Sequence, residues 1–262
     1  MSDRQSGSAA SSTTVAAGQV SSGKGRRGNM DAASNETAAR APSDASTHHL
    51  VYVGDPMCSW CWGFAPVLTR LLETFGARLL THVVVGGLRA FNTRAMDAEQ
   101  KSTIRGHWEH VAERTGQPFD YAFFERDGFV YDTEPACRAV VTARLIDPRL
   151  TFAMMHAVHR AFYVEGADTR SASALRAASE QVGIDGAAFD ATFGAEATKA
   201  QTMADFQTAQ QAGITGFPTL LLGDNAGEFH VLSAGYQAYE PLAERLAELI
   251  DTPSTADSML PH

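Results

Sequence analysis

The stretch Asp55-Pro56-Met57-Cys58-Ser59-Trp60-Cys61-Trp62-Gly63-Phe64 decides how this chain is read. It follows His49-Leu50-Val51-Tyr52-Val53, a short apolar, β-branched run that predicts a buried strand. Gly54-Asp55-Pro56 is the turn signal that ends the strand. Beyond the cysteines, Phe64, Val67, Leu68, Leu71, Leu72 and Phe75 recur at helical spacing. Pro66 is expected to kink that helix or remove one hydrogen bond, and Gly76 is placed to cap it. Cys58 and Cys61 therefore fall where a strand hands over to a helix N-terminus. There the helix dipole and unpaired backbone N–H groups favour a thiolate, the species that attacks a disulfide. Cys58, at the exposed start, is the expected nucleophile. Cys61, one turn on and beneath the helix, is the expected resolving thiol.

A CxxC pair can also be half of a zinc site, which needs four ligands in closed tetrahedral geometry. The third cysteine of the chain, Cys137, stands by itself. Completion would fall to His107-x-x-His110 or His156-x-x-His159, and histidines at that spacing more often form a solvated or packed helix face. No metal is expected. Trp62 and Phe64 read as core, whereas Trp60, between the cysteines, reads as part of the active-site face.

Outward from this motif, Arg78–Val85 is expected to form the next strand, stopped by Gly86-Gly87. From about residue 93 to 210 the signals are helical. Expected helices cover 97–115, then a segment starting at Asp132-Thr133-Glu134-Pro135, where Asp or Thr caps and Pro occupies the first turn. Others follow over 149–164, 171–183, 185–193 and 196–212. Strands return at Pro218-Thr219-Leu220-Leu221-Leu222 and Phe229-His230-Val231-Leu232, a hairpin pattern, and an amphipathic helix over 241–250 closes the order. The expected division is a sheet domain from 47–92 and 196–250, with a helical insertion over 93–195 and a flexible end at 251–262.

A second feature lies far from the cysteines. Gly213-Ile214-Thr215-Gly216-Phe217-Pro218-Thr219 puts a proline at the start of a strand, where central strands rarely tolerate one. A cis bond facing the cysteines would explain it; a trans proline on an edge strand is the alternative. A substrate peptide could add as a strand along the Phe217 backbone.

Composition bounds the function. Of 262 residues, 44% are hydrophobic and 19% charged, ordinary values for a soluble globular protein. Residues 1–46 are dominated by Ser, Ala, Gly, Thr and Asn, too apolar-poor to offset ordering entropy, and are expected to be a disordered tail. That tail holds five basic and four acidic residues, so all of the acidity belongs to the rest, which carries −10 against −9 for the whole chain. Such a surface repels nucleic acid and anionic membranes. No signal-peptide h-region or spanning stretch is recognisable, and three cysteines do not make a disulfide framework. A cytoplasmic protein is expected, in which a CxxC reads as redox or metal chemistry.

DPMCSWCWGF after a strand and GITGFPTLLL before a hairpin together resemble the DsbA-like branch of the thioredoxin superfamily. More closely, they are similar to the cytoplasmic protein-disulfide isomerases related to FrnE. The resemblance covers about residues 49–250. It implies an α/β thioredoxin fold with an α-helical insertion, with attack by Cys58, resolution by Cys61, and Pro218 as a cis-proline near the pair. Phe217 and Thr219 would flank the substrate groove beside Trp60. The dipeptide Ser59-Trp60 departs from the Pro-His of strongly oxidising periplasmic members and from the Gly-Pro of thioredoxin, which points to a reductase or isomerase. No tightly held cofactor is implied, with glutathione a candidate reductant or co-substrate. The expected partners are protein disulfides or low-molecular-weight thiols and a recycling reductant.

Three residues stay open. Cys137, on a helix face with Val140, Val141 and Leu145, reads as a buried structural thiol or, alternatively, a third redox thiol. Glu134 reads as a capping carboxylate or a proton acceptor for Cys61. Asp55 reads as a turn former rather than a catalytic acid. Two other function classes compete. One is a glutathione-dependent isomerase or transferase of the kappa and hydroxychromene carboxylate type, whose members typically carry serine at the position of Cys58. The other is a chaperone-like binding module with idle thiols.

Overall fold

The computed structural model describes residues 48–224 and 227–251; the expectations for residues 1–46 and 252–262 lie outside them. Strand β1 (His48–Gly54) runs into the cysteine loop and then helix α1 (Ser59–Phe75). Gly76 continues in right-handed helical geometry instead of making a left-handed cap, and Gly76–Arg78 becomes a 3-10 turn. The next strand, β2 (Leu80–Val85), is accordingly shorter than the sequence implied, because that turn takes up Arg78.

Helices α2 (Ala98–Thr115), α3 (Glu134–Ile146), α4 (Thr151–Tyr163), α5 (Ala172–Gln181), α6 (Gly186–Gly194) and α7 (Glu196–Gln211) follow. A reciprocal capping box starts α2: the Asp97 carboxylate accepts from Gln100 N–H, and the Gln100 side chain accepts from Asp97 N–H. Two pieces between these helices escaped the periodicity, a 3-10 turn over Tyr121–Glu125 and an Ala95–Val130 bridge. The chain closes with the hairpin β3 (Thr219–Asp224) and β4 (Phe229–Ala234), then α8 (Tyr239–Asp251), which carries the final helix one residue further than expected.

The sheet order is β2-β1-β3-β4. β1 pairs parallel with β2 and antiparallel with β3, with Val53 opposite Thr219. This register sets the Pro218 end of β3 beside the cysteine end of β1. Leu50, Tyr52, Leu220, Leu222 and Leu232 bury one set of alternating side chains with Phe64, Leu71 and Leu246. The complementary set, including Val51, Leu221 and Val231, lines an open groove of about 1310 Å³. A second cluster gathers Trp62, Trp108, Phe123, Phe162, Tyr163 and Phe189 among α1, α2, the 3-10 turn, α4 and α6. Helix α3 joins the clusters, giving Ala136, Ala139 and Ala143 to one and Cys137, Val140 and Val141 to the other. Leu145 does not share the Cys137 face as expected; it stands 49% exposed.

Candidate active site

Cys58 is the N-cap residue of α1, with extended backbone (φ −93°, ψ 118°) and no side-chain cap of its own. Its N–H donates to the Asp55 carbonyl at 3.0 Å, closing the turn, and its carbonyl accepts from Trp62 N–H at 3.1 Å. The thiol is therefore held at the positive end of a 17-residue helix. Only 6% of Cys58 is exposed, so "exposed start" holds only relative to Cys61, which is wholly buried. Both are free thiols.

Burial pushes the Cys61 thiol well above the ordinary value, and the neighbouring Cys58 raises it further; Tyr52 and the Asp55 amide act the other way. The Asp55 N–H reaches Cys61 Sγ at 3.5 Å. The pair is thus asymmetric in access and solvation, an outer thiol at a helix end over an inner thiol in an apolar wall.

The distant proline meets this pair. The Phe217–Pro218 bond is cis, and the Cys58 thiol donates to the Phe217 carbonyl at 3.6 Å. The loop is tied down by Gly235 N–H to the Pro218 carbonyl (2.7 Å) and Thr219 Oγ1 to the Gly216 carbonyl (2.9 Å). Pro218 and Thr219 are buried, while Phe217 is half-buried. Gly86 makes room for the Phe217 ring, since a Cβ there would lie 2.1 Å from it. Trp60 and Ser59 are half-buried, with the Trp60 ring 5.4 Å from that of His110 and 5.7 Å from that of Tyr236. The large sheet groove is lined by Phe217 and Thr219 but by neither cysteine of the pair.

Asp55, read from sequence as a turn former, is the hub beneath the loop. It is fully buried. Its carboxylate accepts from Met57 N–H (2.8 Å), Leu88 N–H (2.7 Å) and the Cys137 thiol (3.4 Å). Burial raises its pKa, and these donors pull it back. A charged residue directly after the apolar end of a strand was the available signal. Glu134 lies apart from this hub in an ion pair with Arg138 at 2.9 Å, and its pKa is raised mainly by burial. Cys137 is fully buried, its pKa raised by burial and then by the Asp55 carboxylate.

Two further residues, His159 of the His156-x-x-His159 pair and Tyr52 of the first strand, make contacts that their spacing does not signal. His159 lies 1% exposed with Nε2 3.4 Å from the Asp55 carbonyl, so neutral imidazole donates there; burial lowers its pKa to about 3. Tyr52 borders Cys61, its pKa raised by burial and then by Cys61. Its strand position gave no sign of this. Among the described residues no group of three or more His, Cys, Asp or Glu could hold a metal ion.

The profile of the DSBA-like thioredoxin domain matches residues 50–247, most of the chain. The chain belongs to this family. Members of the DSBA-like family are disulfide oxidoreductases and isomerases. A solved structure from Nitrosomonas europaea, assigned as a protein disulfide isomerase, is 36% identical. The match covers 78% of this chain and 98% of that one, with a TM-score of 0.74. The cytosolic disulfide reductase DsbM from Pseudomonas aeruginosa is 29% identical over 77% of this chain and 98% of its own, with a TM-score of 0.64. DsbM is also solved with GSH. The ClpXP adapter protein SpxH of Halalkalibacterium halodurans is 21% identical over 75% of this chain, which spans 65% of the length of SpxH.

Proposed function

We propose that this DSBA-like protein catalyses dithiol–disulfide exchange through Cys58 and Cys61. The observation that carries the reading is the Cys58 thiol, held at the start of α1 against the Phe217 carbonyl beside the cis-proline, with Cys61 buried one turn behind. In the reducing direction the Cys58 thiolate attacks a substrate sulfur, forming a mixed disulfide and releasing one thiolate. Cys61 loses its proton and attacks Cys58 Sγ. The Cys58–Cys61 bond forms, the second substrate thiolate leaves, and the two electrons have passed to the substrate. Isomerisation follows when a different substrate thiolate attacks the substrate sulfur of the mixed disulfide before Cys61 acts, so that a new substrate disulfide forms and the Cys58 thiolate leaves.

The Ser59-Trp60 dipeptide supports a reductase or isomerase over a strong oxidant, and the likeness to a cytosolic reductase favours the same direction and a cytoplasmic setting. No described helix is long and apolar enough to cross a membrane. Protein substrates are favoured by exposed Leu88 and Phe91 on the loop after β2. That loop abuts Phe217 at Gly86 and Phe206 at Gly87, and the Phe91 ring packs on Phe206. Glutathione is the proposed recycling reductant, in line with its presence on DsbM. A cysteine at position 58 speaks against the isomerase or transferase reading, and the placement of both thiols against an idle binding module.

Mixed-disulfide trapping tests the reading. Cys61→Ser is expected to accumulate a covalent Cys58–substrate adduct visible by mass spectrometry. Cys58→Ser is expected to form none and to lose reductase activity. Activity retained in Cys58→Ser would refute the assignment.

A further inference from the structure

Among the described residues, all arginine side chains but three donate to a carboxylate or to a backbone carbonyl. The exceptions are Arg89, Arg94 and Arg114, all of them exposed. Two of these three border the cysteine loop. Arg89 lies over the Tyr131 ring at 5.3 Å, and the Tyr131 hydroxyl donates to the carbonyl of Met57, the residue before Cys58. Arg114 lies over the Tyr236 ring at 5.9 Å. Tyr236 follows Gly235, whose N–H donates to the Pro218 carbonyl, and its ring is 5.7 Å from that of Trp60. The loop of Arg89 follows β2 and Tyr236 follows β4, the two edge strands, with β1 and its cysteine loop between them. Each guanidinium is thus steadied by an aromatic face and neutralised by no carboxylate. Nearby acids do not cancel them: Asp55 is buried and saturated by donors, and Glu134 is held by Arg138. Glu109 and Glu113 act on Tyr121. In a chain of net charge −9, the sign of the surface reverses around the pair, and such a reversal draws anions to it.

We propose that Arg89 and Arg114 form a carboxylate-reading rim around Cys58, which selects low-molecular-weight disulfides and thiols that carry carboxylates near the sulfur, the chemistry of glutathione. The proposal rests on the exchange reading above and adds to it the groups that choose the substrate. A guanidinium offers parallel N–H donors that match a carboxylate, and one without an internal partner breaks no ion pair when it binds. Oxidised glutathione carries carboxylates on both halves. One half can meet Arg114 on the Trp60 and Tyr236 side while the other meets Arg89 on the Met57 side. In the step, the Cys58 thiolate attacks one glutathione sulfur and the other half leaves as thiolate. Cys61 loses its proton and closes the Cys58–Cys61 bond, the second glutathione leaves, and two electrons have passed from the pair to the disulfide. The arginines act on binding and leave the order of sulfur attack as it was.

The test is rapid mixing of the reduced full-length protein with three disulfides: oxidised glutathione (anionic), hydroxyethyl disulfide (neutral) and cystamine (cationic). Acid quenching, alkylation and mass spectrometry follow the loss of thiols, and the readout is the ratio of the glutathione rate to the hydroxyethyl rate. Arg114→Gln and Arg89→Gln are each expected to lower that ratio about threefold, the size of one exposed ion pair, and the double variant about tenfold. Arg114→Lys, which keeps the charge, should retain most of the ratio, and Arg114→Glu should raise the cystamine rate. Added salt should bring the wild-type ratio towards that of the double variant. Arg176→Gln removes the same charge from α5, where Arg176 pairs with Glu180 and Asp190, and should leave the ratio where it was. A ratio unchanged in the double variant, an equal loss with all three disulfides, or the same fall in Arg176→Gln overturns the proposal. So does a loss confined to a disulfide-linked acidic peptide, with oxidised glutathione unaffected. Failure of the wild-type protein to react with any of the three disulfides would instead sink the exchange reading itself.

Discussion

Asp55 shows how much one side chain can organise around two thiols. Its carboxylate satisfies the N–H groups of Met57 and Leu88, one in the cysteine loop and one after β2. Replacing it with alanine would leave the buried Met57 N–H and the part-buried Leu88 N–H without partners. Asp55→Ala is therefore expected to lower stability by about 2 kcal/mol or more, as an orphaned buried donor beside a partly buried one implies, measured by urea unfolding. Asp55→Asn, which keeps one acceptor oxygen, should lose less. His159 gives a pH prediction. Its pKa falls from 6.5 to about 3 on folding because burial disfavours the cation. Between those values the unfolded chain binds the additional proton, so stability is present above pH 6.5 and drains as pH falls through the window. The slope from this group approaches about 1.4 kcal/mol per pH unit. Asp55, shifted upward by burial, works in the opposite sense, since its contribution is lost as pH rises. Comparing urea midpoints of wild type and His159→Gln at several pH values isolates the histidine: the variant should show the shallower acid slope, and identical slopes would refute the assignment.

At the scale of elements, the strand-to-helix placement of Cys58 was legible because apolar periodicity and turn residues are local signals. The helix starts at Asp97 and Asp185 were legible for the same reason. What escaped were contacts made across the fold. His159 meets the Asp55 carbonyl from 104 positions away, and the Cys137 thiol meets its carboxylate from 82. No periodicity carries such pairings. The Asp132-Thr133 start of α3 shows a related effect. Thr133 makes no side-chain cap, and its hydroxyl instead accepts from Arg89 N–H at 3.2 Å, so a cap signal also anchors the loop after β2. The staple between α3, α7 and β2 was equally hidden. Arg144 pairs in bidentate fashion with Asp205 at 2.8 and 2.9 Å and donates to the Val83 carbonyl, while Asp205 accepts from Val85 N–H. Arg144→Ala strands a buried carboxylate and is expected to cost about 3 kcal/mol. Glu240→Ala, which breaks an exposed pair with Arg70, should cost under about 1 kcal/mol. Denaturant midpoints of the two variants test that ranking, and equal losses would contradict it.

Over the whole molecule, the two apolar clusters meet where the chemistry is. Helix α1 begins with both cysteines, sends Phe64 and Leu71 into the sheet cluster and Trp62 into the helical one. Helix α3 bridges the clusters and carries Cys137 to Asp55. The pair thus sits on a rigid seam, with its outer thiol against the Phe217 carbonyl and its inner thiol walled off from solvent. The fold class was readable from two short motifs because each marks a place where backbone geometry is constrained. The seam was not, since it exists only once both clusters have formed. The central claim is that Cys58 and Cys61 interconvert between dithiol and disulfide, and a redox titration tests it most directly. Purified protein is equilibrated in glutathione buffers of graded ratio, and the remaining thiols are counted by alkylation and mass spectrometry. The account predicts one cooperative two-thiol transition that disappears in Cys58→Ser, with Cys137 unmodified throughout. Two thiols persisting at every ratio, or lost independently of one another, would contradict it.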